Sequence, residues 1–196
     1  MFVDNIRIFA RAGKGGNGLV SFRRAKFVPK GGPDGGDGGD GGSVILEVDP
    51  HTNDLRSFFY DPKLIATDGV GGQSAKKHGK NGKSVIGKVP PGTIIYRSNA
   101  SSMAEATWLE REGEGIELEK IADLTEIGTR FTLCQGGLGG KGNWHFRSAT
   151  NQAPTEAEMG TEGEEGVFFM ELRRIADAGL DDLLFCPETM GKKGQI

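Results

Sequence analysis

Two glycine-rich stretches have the spacing of loops that cradle phosphates. Gly13-Lys14-Gly15-Gly16-Asn17-Gly18-Leu19-Val20 fits GxGxxGxV, and Gly137-Leu138-Gly139-Gly140-Lys141-Gly142 fits GxGxxG. Such loops work because bare backbone N–H groups close around oxygen anions, but each needs its context. A kinase loop needs HRD and DFG signatures downstream, and neither occurs. A dinucleotide loop needs a helix opening at the motif, and residues 143–154 show no helical stripe. Cys186-Pro187-Glu188-Thr189-Met190-Gly191-Lys192-Lys193 comes nearest to GxxxxGK[ST]. There Cys186 replaces the first glycine, Lys193 replaces the hydroxyl residue that would hold magnesium, and Glu188 sets a negative charge beside the phosphates. It is not a nucleotide site as written.

The other reactive residue types are scattered. His51, His78 and His145 sit in different segments without metal-ligand spacing or a neighbouring nucleophile. Cys134 and Cys186 are too few for a disulfide framework and read as idle thiols of a reducing compartment. Asp34, Asp37 and Asp40 recur every third residue, but that spacing does not enclose a cation, and the nine-residue period of a calcium repeat is absent. No catalytic residue and no metal site is expected. Glu156–Glu165 holds five glutamates in ten residues and reads as a solvated loop, with contact to a protein partner as the other reading.

Cations are organised more tellingly. The net charge is −3, yet Asn5–Pro33, Gly69–Arg97 and Ile127–Thr155 contain no Asp or Glu and hold 16 of the 24 Lys and Arg. Segregation of this kind can build a positive face on an acidic protein. Asn143-Trp144-His145-Phe146-Arg147 adds aromatics beside cations. On a strand, Trp144 and Phe146 would share one face and pack in the core; stacking on RNA bases is the alternative.

The elements that must position these residues are strands joined by glycine. Ile6–Ala10, Val44–Val48, Leu55–Tyr60, Val85–Val89, Thr93–Tyr96, Ile116–Ile121, Phe131–Cys134 and Val167–Leu172 read as strands, and only Ser102–Arg111 hints at a helix. Between them lie four tracts with 22 of the 33 glycines. In Gly31–Gly42 glycine pairs at Gly35, Gly36, Gly38, Gly39, Gly41 and Gly42 alternate with aspartate. A period of three matches a left-handed extended helix of polyproline-II type, whose bare faces let neighbouring chains lie close. The expected fold is all-β, a barrel or sandwich base with an elaborate glycine-rich end, and a barrel would close its edges and favour a monomer. No run is apolar and long enough to span a membrane and no signal peptide opens the chain, so the cytoplasm is the expected compartment.

The run Phe22-Arg23-Arg24-x-Lys26-Phe27-Val28-Pro29-Lys30 with the glycine–aspartate tract that follows, Gly137-x-Gly139-Gly140-x-Gly142-Asn143-x-x-Phe146, and Asn151-Gln152-Ala153-Pro154 closely resemble the N-terminal domain of the Obg family of GTPases. His78-Gly79-Lys80-x-Gly82, Val89-Pro90-x-Gly92-Thr93 and Gly160-x-x-Gly163-Glu164 add to the likeness, which runs in order to about Leu180. The resemblance implies a β-barrel base carrying a bundle of glycine-rich left-handed helices, and a role in large ribosomal subunit biogenesis. It also implies docking on rRNA through loop tips, with Arg23, Arg24, Lys26, Lys30, Lys76, Lys77, Lys80, Lys141 and Arg147 as the matching cations. It divides the chain into a docking domain over 1–160, a final strand and linker over 161–180, and a divergent tail over 181–196 expected to be poorly ordered.

In the family the segment like Ile175–Leu180 leads into a GTPase domain that binds GTP and magnesium; Asp181–Ile196 does not resemble it. No cofactor is therefore expected in this chain. The leading expectation is an RNA-docking domain of the large ribosomal subunit. Two alternatives stand beside it, a fragment of a P-loop GTPase and a protein-interaction scaffold.

Overall fold

The computed structural model describes residues 3–24, 26, 31–100, 103–105 and 117–173. Among them are eight strands, β1 (Asn5–Arg11), β2 (Val44–Val48), β3 (Lys63–Ile65), β4 (Val85–Val89), β5 (Thr93–Ser98), β6 (Leu118–Leu124), β7 (Arg130–Cys134) and β8 (Glu165–Leu172), and a five-residue helix α1 (Arg56–Tyr60). A five-stranded sheet runs β3-β1-β8-β5-β6 and a three-stranded sheet runs β4-β2-β7. Both are mixed, since β1–β3 and β2–β4 pair in parallel and the other ladders are antiparallel.

Alternation on the strands builds the core. Val44, Leu46 and Val48 point inward from β2, and one apolar cluster takes Ile8 and Ala10 of β1, Ile95 of β5, Leu133 of β7 and Met170 of β8 together with them. Central β8 is covered on both faces, because Val167 packs with Ala100, Phe9 and Met103 on the opposite side. Among the described residues no ladder joins the two sheets. The base is thus a pair of sheets sharing one core, and the barrel that the resemblance implied does not close. Edge strands stay open, so closure supplies no argument for a monomer.

Three local expectations are corrected. Leu55–Tyr60, expected as a strand, forms α1 preceded by Leu55, with Leu55 and Phe58 buried one helical turn apart and Tyr60 exposed. Asn143–Phe146 is a 3-10 turn, so Trp144 and Phe146 share no strand face. Strand β3 was not anticipated; its three residues are too few to show a period and are held by pairing to β1. Of Ser102–Arg111, Met103–Glu105 are helical and the remainder lies outside the described residues, as do Ile116, 174–180 and the tail over 181–196.

From the base rises a shaft of six extended segments, 12–19, 34–42, 66–73, 76–84, 135–143 and 156–164. Their hydrogen bonds recur every third residue, as a helix with about three residues per turn requires. The amides of Gly13, Gly16 and Leu19 donate to the carbonyls of Gly42, Gly39 and Gly36 at 2.8, 2.8 and 3.0 Å. Gly36, Gly39 and Gly42 in turn donate to Gln73, Val70 and Thr67, while Gly38 and Gly41 donate to Gly140 and Gly137. Segment 34–42 is therefore the axis of the bundle.

Its glycines are required for closeness, not for unusual dihedrals. A Cβ on Gly38 would lie 1.8 Å from the Gly16 carbonyl oxygen, and one on Gly39 2.3 Å from that of Lys80. Gly35 and Gly41 meet the same segment as Gly38, and Gly36 and Gly42 the same segment as Gly39. None of the six has positive φ. The aspartates occupy the remaining positions as acceptors: Gly142 N–H donates to Asp37 Oδ1 at 2.7 Å, Gly139 N–H to Asp40 Oδ1 at 2.8 Å and Ala75 N–H to Asp34 Oδ2 at 3.2 Å.

Candidate functional site

The shaft starts at the sheets near Gly13, Gly42 and Gly136 and ends near Leu19, Gly35 and Asn143. Seven residues at about 3.1 Å each carry its far end roughly 22 Å from the base. Three loops meet there, 20–34, 73–77 and 143–157.

The first loop is a hairpin in which Phe22 bridges Pro33 and the Arg23 amide donates to Gly32 O at 3.0 Å. It exposes Arg23, Arg24 and Lys26; Lys30 lies outside the described residues. The second loop is closed by the Gln73–Lys77 bridge and exposes Lys76 and Lys77. Ala75 and Lys76 both take left-handed backbone, φ 61° and 56°, which is unfavourable for residues with a Cβ. The Lys76 amide donates to Asp34 O at 2.7 Å, which with the Ala75 bond to Asp34 Oδ2 holds that shape. An open cleft of about 660 Å³ lies between these loops, lined by Ser21, Arg23, Arg24, Asp34 and Ser74. Asp34 Oδ1 is buried there without a hydrogen-bond partner among the described residues.

The third loop begins with the 3-10 turn and is fixed by Asn143, which is 0% exposed. Its Oδ1 accepts the Gly35 amide at 2.9 Å, and its Nδ2 donates to Ser21 O and Pro154 O at 3.0 Å each. One side chain thus ties the first loop, the axis and the third loop together. Trp144 is 38% exposed, with the Lys76 ammonium 4.4 Å from its ring centroid. His145 stacks obliquely on Trp144 at 4.5 Å and holds Asp37 Oδ2 at 2.8 Å through Nε2. Burial pushes the Asp37 carboxyl up, but the Gly142 amide, the His145 bond and the charges of His145 and His78 outweigh it, leaving Asp37 below the usual carboxylate range. Arg147 is exposed just beyond.

Of the nine cations singled out in the sequence, Arg23, Arg24, Lys26, Lys76, Lys77 and Arg147 fall in the loops at this end. Lys80 and Lys141 do not. Lys80 is exposed midway along the shaft, level with Gly39, and Lys141 is exposed on the shaft beside Glu158, whose amide donates to Lys141 O at 2.9 Å. Sequence reasoning did not find Asn143 as the anchor or the Asp37–His145 pair. The carbonyls and amide that Asn143 binds are 11 to 122 residues away, so local spacing carries no signal for it.

Elsewhere the chemistry is quiet. Burial, reinforced by the charge of Glu164, pushes the Cys134 thiol up to about 12, so it stays protonated. Among the described residues no group of three or more His, Cys, Asp or Glu is placed to hold a metal ion, and no helix is long and apolar enough to cross a membrane. Of the glutamates in 156–165, Glu162 on the shaft pairs with Lys14 Nζ at 2.5 Å and Glu164 Oε2 accepts the Gln135 amide at 2.8 Å.

The site is thus a glycine-built shaft with cationic loops at its far end. The family model GTP1/OBG matches residues 3–174, and the chain belongs to that family. It is 49% identical over 181 residues to the GTPase Obg of Methylacidiphilum infernorum, covering 91% of this chain and 50% of that protein. It is 48% identical to the GTPase Obg of Nautilia profundicola and 45% identical to that of Geobacillus kaustophilus, covering 92% of this chain in each case and 46% and 38% of those proteins. The chain spans half or less of the length of these relatives.

Proposed function

We propose that this chain is the RNA-docking part of a cytoplasmic protein of this family, acting on the large ribosomal subunit during its assembly. Loops 20–34, 73–77 and 143–157 form the contact face. Arg23, Arg24, Lys26, Lys30, Lys76, Lys77 and Arg147 bind phosphates there, and Lys80 and Lys141 extend the positive track down the shaft. One observation carries this reading: the three acid-free stretches, far apart in the sequence, supply the three loops at the same end up to Pro33, Lys77 and Thr155, with Asp34 and Glu156 just past two of them. A narrow, stiff shaft can bring those cations into a crowded RNA cleft that a bulky helix could not enter.

The GTPase activity in the relatives' names belongs to proteins of which this chain covers half or less. We assign no GTP-binding step to this chain, because Cys186–Lys193 departs from the phosphate-loop pattern at two required positions.

The test is co-sedimentation of the purified chain with large ribosomal subunits across a salt series, beside a Lys76/Lys77/Lys80→Ala variant. Binding should weaken linearly in log salt, and the variant should lower that slope by about two to three. Binding that is absent, or indifferent to salt and to the substitutions, overturns the proposal.

A further inference from the structure

We infer that Trp144 is a stacking platform for one unpaired RNA nucleotide, with Lys76 receiving that nucleotide's phosphate. This rests on the docking reading above and names the chemistry of one contact within it.

The indole stands on a short turn at the end of the shaft, with more than a third of its surface in water. A single exposed aromatic needs no explanation by itself. This one stands on an anchored turn between two neighbours. The turn that carries it is fixed by the three hydrogen bonds of Asn143. The next side chain, His145, is pinned to Asp37 and lies against the indole at 4.5 Å. An aromatic ring ordered in advance loses little freedom when a planar ligand lies on it.

Lys76 supplies the second half. Its ammonium sits 4.4 Å from the ring centroid, delivered by two successive left-handed residues that Asp34 holds from below. Backbone kept in a costly conformation at an exposed tip marks a position that something uses. An ammonium resting on an indole is readily exchanged to a phosphate oxygen, a stronger partner for it, and the face it leaves is open to a base.

The surroundings select the ligand. The neighbouring exposed charges on these loops are the cations Lys77, Arg147, Arg23, Arg24 and Lys26 against one exposed carboxylate, Glu156, while Asp37 is engaged by His145 and Gly142 and Asp34 by the Ala75 amide through Oδ2, its Oδ1 being buried. An apolar protein partner would find one ring among cations. A nucleic-acid duplex would offer phosphates but no free base face. An unpaired nucleotide offers both.

The test uses the whole chain with Trp108→Phe, so that Trp144 is the sole indole reporter, titrated with a short single-stranded oligoadenylate RNA, its DNA counterpart and an RNA duplex. The single-stranded RNA should quench Trp144 fluorescence saturably and the duplex should not. In anisotropy titrations of an end-labelled strand, which need no indole, Trp144→Ala should weaken binding of the single strand about 10-fold without changing the salt slope, Trp144→Phe should restore most of it, and Lys76→Ala should lower the slope by about one. Fluorescence indifferent to the single strand, or equal affinity of the Trp144→Ala chain, overturns the inference; equal quenching by DNA overturns its assignment to RNA. Failure of the docking reading shows separately: quenching without co-sedimentation keeps this site and discards the subunit, whereas co-sedimentation without quenching does the reverse.

Discussion

Between the two sheets, cohesion comes from side chains: Val44, Leu46, Val48, Ile95 and Met170 are all at most 1% exposed and pack on one another. In the shaft beyond Ala12 and Ala66, which join the core, apolar side chains such as Val70 and Leu138 turn the other way, exposed by 49% and 65%, and cohesion comes from backbone hydrogen bonds between glycines. The difference reverses what each region tolerates. The base can lose a methylene at a cost that scales with the volume removed. The shaft can accept almost any side chain pointing outward, but not one carbon pointing in.

That contrast is most directly broken by a pair of single substitutions. Gly38→Ala forces a carbon into a carbonyl oxygen on the bundle axis and should destabilise the chain by more than about 4 kcal/mol, or prevent folding. Leu46→Ala removes a much larger group yet should cost only about 2–5 kcal/mol. Urea denaturation followed by circular dichroism compares them, and a milder Gly38→Ala would mean the shaft can breathe.

Next in size is Asn143→Ala. It strands the Gly35 amide and the Pro154 carbonyl at the far end, while Ser21 O keeps the Asp34 amide, and should cost about 3 kcal/mol. Hydrogen exchange should show the loss as faster exchange at Gly35, with little change at β1 or β8.

Asp37→Asn sharpens the contrast through pH. The folded carboxyl lies below its ordinary value of 3.8, so the charged form stabilises the fold above that value, and the contribution disappears as pH falls through the depressed folded value. Stability of wild type and variant should therefore differ at neutral pH and converge below about pH 4. Chemical denaturation at stepped pH reads this, and a constant gap down to strong acid would contradict it. The smallest effect belongs to Lys14→Gln at the exposed Lys14–Glu162 pair, which should move stability by no more than about 0.5 kcal/mol in the same assay.

What the sequence made legible follows the same division. The β strands of the base are long enough to display alternation, and the period of three in 34–42 matched the hydrogen-bond period of the shaft. Aromatic residues misled the reading of Arg56–Tyr60, where burial of Leu55 and Phe58 three apart is the helical signal that β propensity obscured. Alternation puts Trp144 in the core only if it lies on a strand, and a 3-10 turn removes that premise. The acid-free stretches pointed to a positive face, but only the topology shows that their loops share one end. Lys80 and Lys141 could not be separated from the loop cations on charge alone, since position along the shaft depends on which strands the segments pair with.

The shaft also sets a schedule. Asn17 in its first segment accepts a bond from the Gly160 amide, 143 residues later in the chain. At ordinary synthesis rates of about 5–20 residues per second, that partner emerges roughly 7–29 s after the first segment. Through that interval the glycine segments wait hydrated, and their poverty in apolar side chains gives a waiting chain little with which to aggregate.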